Sequence, residues 1–144
     1  MRWWFAATIT VLLAQEAKAQ CVIAAVPVNF GVYQPFSTTP IDSNGSITIR
    51  CRFFGPYSIA LSSGSAGDFT DRHMSHAGSR LNYQLYTNPA RRVVWGDGTG
   101  GSATVSGFCS GYCNNDQPIY GRIPARQPVV PGRYADTVTV TVIF

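Results

Sequence analysis

Asp71, His73 and His76 lie close together, with serines at 62, 63, 65, 75 and 79 around them. These are the residue types of Ser-His-Asp hydrolysis. That chemistry needs a serine on a rigid turn, a histidine within hydrogen-bond reach and an oxyanion hole. No GxSxG elbow is present, and both histidines fall in the longest polar stretch, SSGSAGDFTDRHMSHAGS (62–79). The expected state of that stretch is a solvated loop. Glycoside hydrolysis would need two convergent carboxylates, but the six aspartates are dispersed along the chain. GDGTGG (96–101) has the glycine content of a phosphate loop. It lacks the Lys-Ser/Thr ending and the following helix that make an anion site, so it reads as a turn. Asn44-Gly45-Ser46 is formally a glycosylation sequon and reads as a hairpin turn. No catalytic residue and no cofactor is expected.

The four cysteines carry the remaining chemistry. In an exported chain they imply two disulfides, with three connectivities possible. Cys109 and Cys113 enclose only Ser110-Gly111-Tyr112, so a small loop staple is the simplest pairing, which leaves Cys21 with Cys51. A metal site is the rival reading. It is set aside because no CxxC pair exists and the two histidines are far off in sequence.

Export is read from the N-terminus. Met1-Arg2 is a basic start, Trp3–Leu13 an apolar run, and Ala17-Lys18-Ala19 the small residues of a cleavage site. This reads as a secretory signal peptide over 1–19, its apolar run too short to serve as a membrane anchor. Residues 20–144 are then a single mature domain with no integral membrane segment. It would carry nine arginines and six aspartates, no lysine and no glutamate. Arg91-Arg92 is the only adjacent basic pair, which argues against a nucleic-acid surface, where phosphate contacts form a stripe.

The elements that must hold these residues read as strands. YADTVTVTVIF (134–144) alternates Thr and Val up to a closing aromatic. SITIRCRF (46–53), PYSIALSSG (56–64), RLNYQLYT (80–87), RRVVW (91–95), SATVSGF (102–108) and QPIYGRIPA (117–125) carry similar signals. CVIAAVPVNFGVY (21–33) starts as an apolar run and is broken by Pro27. Helical periodicity is nearly absent. The pattern predicts an all-β, antiparallel β-sandwich without repeats or a second domain. The core is the ordinary place for Trp95. Phe108 and Tyr112 read equally as core or as exposed contact residues.

Several strings, taken in order, resemble one family, the spore coat protein U domain, whose members include subunits of archaic (Csu-type) chaperone–usher pili. They are NFGVY (29–33), GSITIRC (45–51), RLNYQLYT (80–87), VVWGDGTGG (93–101) and IYGRIPARQPVVPGRYADTVTVTV (119–142). Cys21 and Cys51 match the family's disulfide positions, while Cys109 and Cys113 fall where the family varies. Trp95, Gly96, Asp97, Gly98, Tyr120, Gly121, Arg122, Tyr134 and Asp136 match its framework, and Arg72 and Met74 match positions read as structural.

The resemblance implies an immunoglobulin-like sandwich lacking its last strand, completed by a strand from a periplasmic chaperone or another pilin subunit. Val138, Val140, Val142 and Phe144 would wall the cleft that takes it. The implied partners are that chaperone, an outer-membrane usher and other pilins. The implied place is the cell surface, reached through the periplasm, with a role in adhesion and biofilm. With cleavage after Ala19, only Gln20 precedes Cys21, so the expectation is a tip or terminal subunit that accepts a strand and does not donate one. The alternatives are a secreted coat or matrix protein of the same domain outside any fibre and, behind it, the secreted hydrolase.

Overall fold

Most of the alternating strings become strands, the larger number of them in two packed sheets. The computed structural model describes residues 20–144, and the expected signal peptide, 1–19, lies outside the described residues. The strands are β1 (Gln20–Val26), β2 (Ile41–Arg52), β3 (Phe54–Leu61), β4 (His73–His76), β5 (Ser79–Asn82), β6 (Gln84–Tyr86), β7 (Val105–Ser110), β8 (Cys113–Ile123) and β9 (Val140–Ile143). One sheet runs in the order β1-β2-β8-β6 and the other β7-β3-β9, with β4 and β5 as a separate hairpin. Every pairing is antiparallel. The architecture is an all-β sandwich.

Period-two alternation builds the core. Ile47, Ile49 and Cys51 of β2 face Tyr57, Ile59 and Leu61 of β3 across the interior, joined by Leu81, Tyr83, Leu85, Ile119 and Ile123. Each such aliphatic side chain, fully buried, contributes about 1.5–3 kcal/mol. Both disulfides pair as read, Cys21 with Cys51 and Cys109 with Cys113.

Four local expectations are corrected. Asn44-Gly45 is not a turn: both residues lie inside β2, opposite Tyr120 and Ile119 of β8. The glycine serves close approach instead, because a Cβ at Gly45 would stand 2.5 Å from the Val26 carbonyl oxygen. Gly121 repeats the device on β8, where a Cβ would strike Phe30 and Val28. The two glycines thus form a notch that seats the chain leaving β1.

The polar stretch 62–79 is not a plain solvated loop. It contains β4, which turns through Ala77 and Gly78, both at positive φ, into β5. Within it Arg72 and His73 are buried. RRVVW is not a strand of either sheet, and of it Val94 and Trp95 make only isolated bridges. The C-terminal alternation joins a ladder only over Val140–Ile143; residues 134–139 run beside the sheets with a single bridge, Ala135 to Ser75.

Candidate functional site

A two-sheet sandwich has two flanks, and here they differ. On the β6/β7 side one segment joins both sheets. The Trp95 amide donates to the Leu85 carbonyl on β6, and the Leu61 amide of β3 donates to the Gly96 carbonyl. Gly96 in turn donates to Ala103, which leads into β7. Trp95 is fully buried and its indole Nε1 donates to the Ile59 carbonyl at 3.0 Å. This flank is sealed by the chain itself.

The β1/β9 flank has no such segment among the described residues. Ile23 lies directly across from Ile49 on β2, so both face inward. Ile49 is 0% exposed and Ile23 43%. An inward-facing isoleucine is left in solvent because no described segment covers it from the side.

Backbone geometry on both rims points the same way. Cys21 and Cys51 have Cα atoms 4.2 Å apart, the spacing of a non-hydrogen-bonded antiparallel pair, so Cys21, Ile23 and Ala25 direct their N–H and C=O groups away from β2. Across the gap, the Ser62 amide donates to the Thr139 carbonyl at 2.9 Å. Alternation then turns the amides and carbonyls of Val138, Val140 and Val142 away from β3. On each rim the residues whose side chains face inward are also those whose backbone groups face the gap.

Between the rims lies a cavity of about 290 Å³. Ala25, Val26 and Val28 line one wall, Val138 and Val140 the other, and Leu61, Leu85 and Ile119 the floor. It continues into a wider groove between Phe30–Tyr33 and Pro131–Ala135. Asp136 lines both stretches and stands at the waist between them. Its Oδ2 accepts from the Tyr83 hydroxyl at 2.7 Å, and its Oδ1 from the amides of Ser65 and Thr137, each at 2.9 Å. Burial opposes ionisation of Asp136, but these hydrogen bonds outweigh it and hold the carboxyl below the usual range. Burial, reinforced by the bond to Asp136, pushes the Tyr83 phenol far above its ordinary value. Arg72, buried behind this wall, donates to the Ser62 carbonyl and to Gln84 Oε1.

The residues singled out from sequence separate accordingly. Val138 and Val140 line the cavity and Val142 continues their row against the core. Phe144 lies past the rim, edge-to-face on Phe53 at 4.9 Å. Tyr134 borders the wider groove, its hydroxyl donating to the Val130 carbonyl. Gly96 belongs to the sealed flank, and Asp97 and Gly98 form its turn, with the Asp97 carboxylate accepting from Thr99. Gly121 supplies the notch already described. Tyr120 lies under the Arg91 guanidinium, and Arg122 forms a two-point pair with Asp42 at 2.6 and 2.9 Å. Phe108 and Tyr112 are both exposed, Phe108 edge-to-face on Phe54.

The hydrolase constellation does not assemble. His73 Nδ1 sits 2.9 Å from the Asp71 backbone carbonyl, and His76 lies against the Tyr134 ring. Among the described residues no serine hydroxyl bonds to either ring, and no three His, Cys, Asp or Glu side chains converge as metal ligands would. Sequence reasoning missed the β1 rim, Ile23 and Ala25, and the floor. The signal available was that Pro27 and Gly45 place Val28 beside the C-terminal strand, which requires the fold to be known first.

Three comparisons bear on this arrangement. The family model described as Spore Coat Protein U domain matches residues 6–141. Protein U of Myxococcus xanthus is 32% identical over 130 residues, covering 81% of this chain and 71% of that protein. Among solved structures, the chain is similar to one in the crystal structure of the CsuC-CsuE chaperone-tip adhesion subunit pre-assembly complex from archaic chaperone-usher Csu pili of Acinetobacter baumannii. The TM-score is 0.58 at 26% identity, covering 88% of this chain. The chain spans 40% of the length of that solved chain.

Proposed function

The chain belongs to the Spore Coat Protein U domain family, and from that premise we propose that it is a chaperone–usher pilus subunit whose open flank accepts a β-strand from another polypeptide. One observation carries the reading. Two rims, Cys21–Ala25 and Val138–Val142, carry inward side chains and backbone groups that their own sheets leave unpaired, and Ala25, Val138 and Val140 line one cavity between them. An extended segment laid between them would satisfy the backbone of both edges and fill the cavity with alternate side chains. Left empty, the same edges invite aggregation.

The solved relative is a complex of a chaperone with a tip adhesion subunit, which supports a periplasmic chaperone as the first strand donor and other pilins, delivered by an outer-membrane usher, as later partners. A tip or terminal position fits the same likeness, and it fits the commitment of Gln20–Val26 to its own sheet, where every residue pairs with β2. On this reading the mature domain is 20–144, exported through the periplasm to the cell surface. It acts by strand complementation and adhesion, with no catalysis. The test is expression with and without the candidate chaperone, followed by recovery from the periplasm. A stable one-to-one complex, with chaperone backbone amides protected from exchange along one strand, is expected. A chain that folds alone as a heat-resistant monomer, with both rims protected, overturns the proposal.

A second reading draws on the family's description and the Protein U relative: a secreted coat protein of the same domain that joins no fibre. Neighbouring genes for an usher and a chaperone support the pilus, and their absence supports the coat.

A further inference from the structure

The inward row of the C-terminal rim reads Tyr134, Asp136, Val138, Val140 and Val142. Four of these five positions are apolar or aromatic, and one is a carboxylate at the waist of the groove. Its immediate surroundings are specific. The Tyr83 hydroxyl and the amides of Ser65 and Thr137 donate to it, and the Ser65 hydroxyl adds a further hydrogen bond. Among the described residues no Lys, Arg or His stands within salt-bridge distance of it. The buried Arg72 is turned to Ser62 and Gln84 instead. Among the described residues lining the cavity Asp136 is the one charged side chain, and it makes no salt bridge, the buried Arg72 acting on it only at longer range.

Any strand occupying the groove places one inward side chain beside Asp136, at about 4.5–5.5 Å between Cβ atoms for a directly opposite pair. An aliphatic side chain there would desolvate the carboxylate without replacing its water. A second carboxylate would repel it. A hydrogen-bond donor, above all a cation, fits.

Resting on the strand-accepting reading of the groove, we infer that Asp136 fixes the register of the incoming strand. Its partner is a segment with apolar residues over Val138, Val140 and Val142 and a basic side chain at the inward position beside Asp136. The row of valines alone leaves register loosely set, because a slip of two residues presents the same surface. One charged position removes that degeneracy.

The test uses the full oxidised chain and synthetic peptides of about ten residues, the upper end of ordinary strand lengths. The peptides alternate Val with Thr, and one Lys is walked through the inward positions. Binding is read by fluorescence anisotropy. One Lys position is expected to bind up to about five-fold more tightly than Lys at any other inward position, and Glu at that position up to about five-fold more weakly. Asp136→Asn should remove the preference, bringing Lys at that position to within about two-fold of Lys at the other inward positions. Equal tolerance of Lys at every inward position, or a preference that survives Asp136→Asn, overturns the inference and leaves the groove reading standing. Failure of every peptide, the all-Val one included, overturns both. Should Asp136→Asn not fold, the Lys walk on the unaltered chain decides alone.

Discussion

The two flanks of this sandwich are made from similar strands and end differently. On the β6/β7 side, Trp95 and Gly96 reach both sheets with backbone and indole hydrogen bonds, and the tryptophan is 0% exposed. On the β1/β9 side the rims are equally apolar, yet inward-facing Ile23 is left 43% exposed. Apolar alternation alone does not seal a sandwich. Sealing takes a segment that hydrogen-bonds to both edges, because an edge strand with inward valines still presents bare amides and carbonyls. Among the described residues such a segment serves the β6/β7 flank alone, and the other flank is the one we propose accepts a strand.

Breaking the sealed flank should give the largest effect. Trp95→Ala removes the largest fully buried side chain and the hydrogen bond to Ile59, and is expected to cost about 3–5 kcal/mol in urea unfolding, whether or not a strand occupies the groove. The disulfides sharpen the contrast. Cys21–Cys51 pins the open rim and closes a 30-residue separation, whereas Cys109–Cys113 closes only 4 at the end of β7. By loop-closure entropy, replacing the first pair with serines should cost about 3–4 kcal/mol and the second about 2. Equal losses would mean the open rim needs no pinning.

Filling the open flank comes next. A donor peptide at about a hundred times its Kd should stabilise the chain by about 2.7 kcal/mol, and Tm should rise with peptide concentration. Val138→Asp should abolish that gain while changing the strand-free chain by less than about 1 kcal/mol, since Val138 is only partly covered. A variant equally destabilised with and without peptide would place Val138 in an ordinary core.

How much of this the sequence discloses follows from which interactions are local. The alternation in SITIRCRF and PYSIALSSG is local, and β2 and β3 lie where it points. Asn44-Gly45 misleads because its glycine answers to Val26 and Val28, distant in sequence, and not to a turn. The 62–79 stretch misleads because serines and glycines dominate it, while the two residues that matter for packing, Arg72 and His73, are charged or polar types that rarely lie inside. RRVVW has the apolar content of a strand, but its tryptophan works as a plug between sheets. The open groove is not local at all. It exists because β1 and β9, at opposite ends of the chain, are the edges that meet on one side, a fact of topology that no window of residues contains.

The smallest expected effect separates the flanks by acid. Asp136 on the open flank is held below the usual carboxylate value of 3.8, since its hydrogen bonds from Tyr83, Ser65 and Thr137 outweigh burial. Asp42 is lowered as well, first by its hydrogen bond to Arg122. A carboxyl whose folded pKa lies below its unfolded one contributes stability that is complete above 3.8 and lost as pH falls through the folded value. Urea midpoints should therefore stay level from about pH 6 to 5 and decline below about pH 4. Both groups are largely solvent-screened, so each contribution should be about 1 kcal/mol or less. Asp136→Asn and Asp42→Asn should each flatten part of the decline, and the two parts should add, because the sites share no partner. If the open flank is strand-filled in the working protein, the Asp136 part should grow when a peptide carrying the matching Lys is bound, since the pair then excludes water from the carboxylate. An Asp136 part unchanged by that peptide would mean the waist of the groove stays wet when occupied, and the register it fixes would have to come from the valines alone.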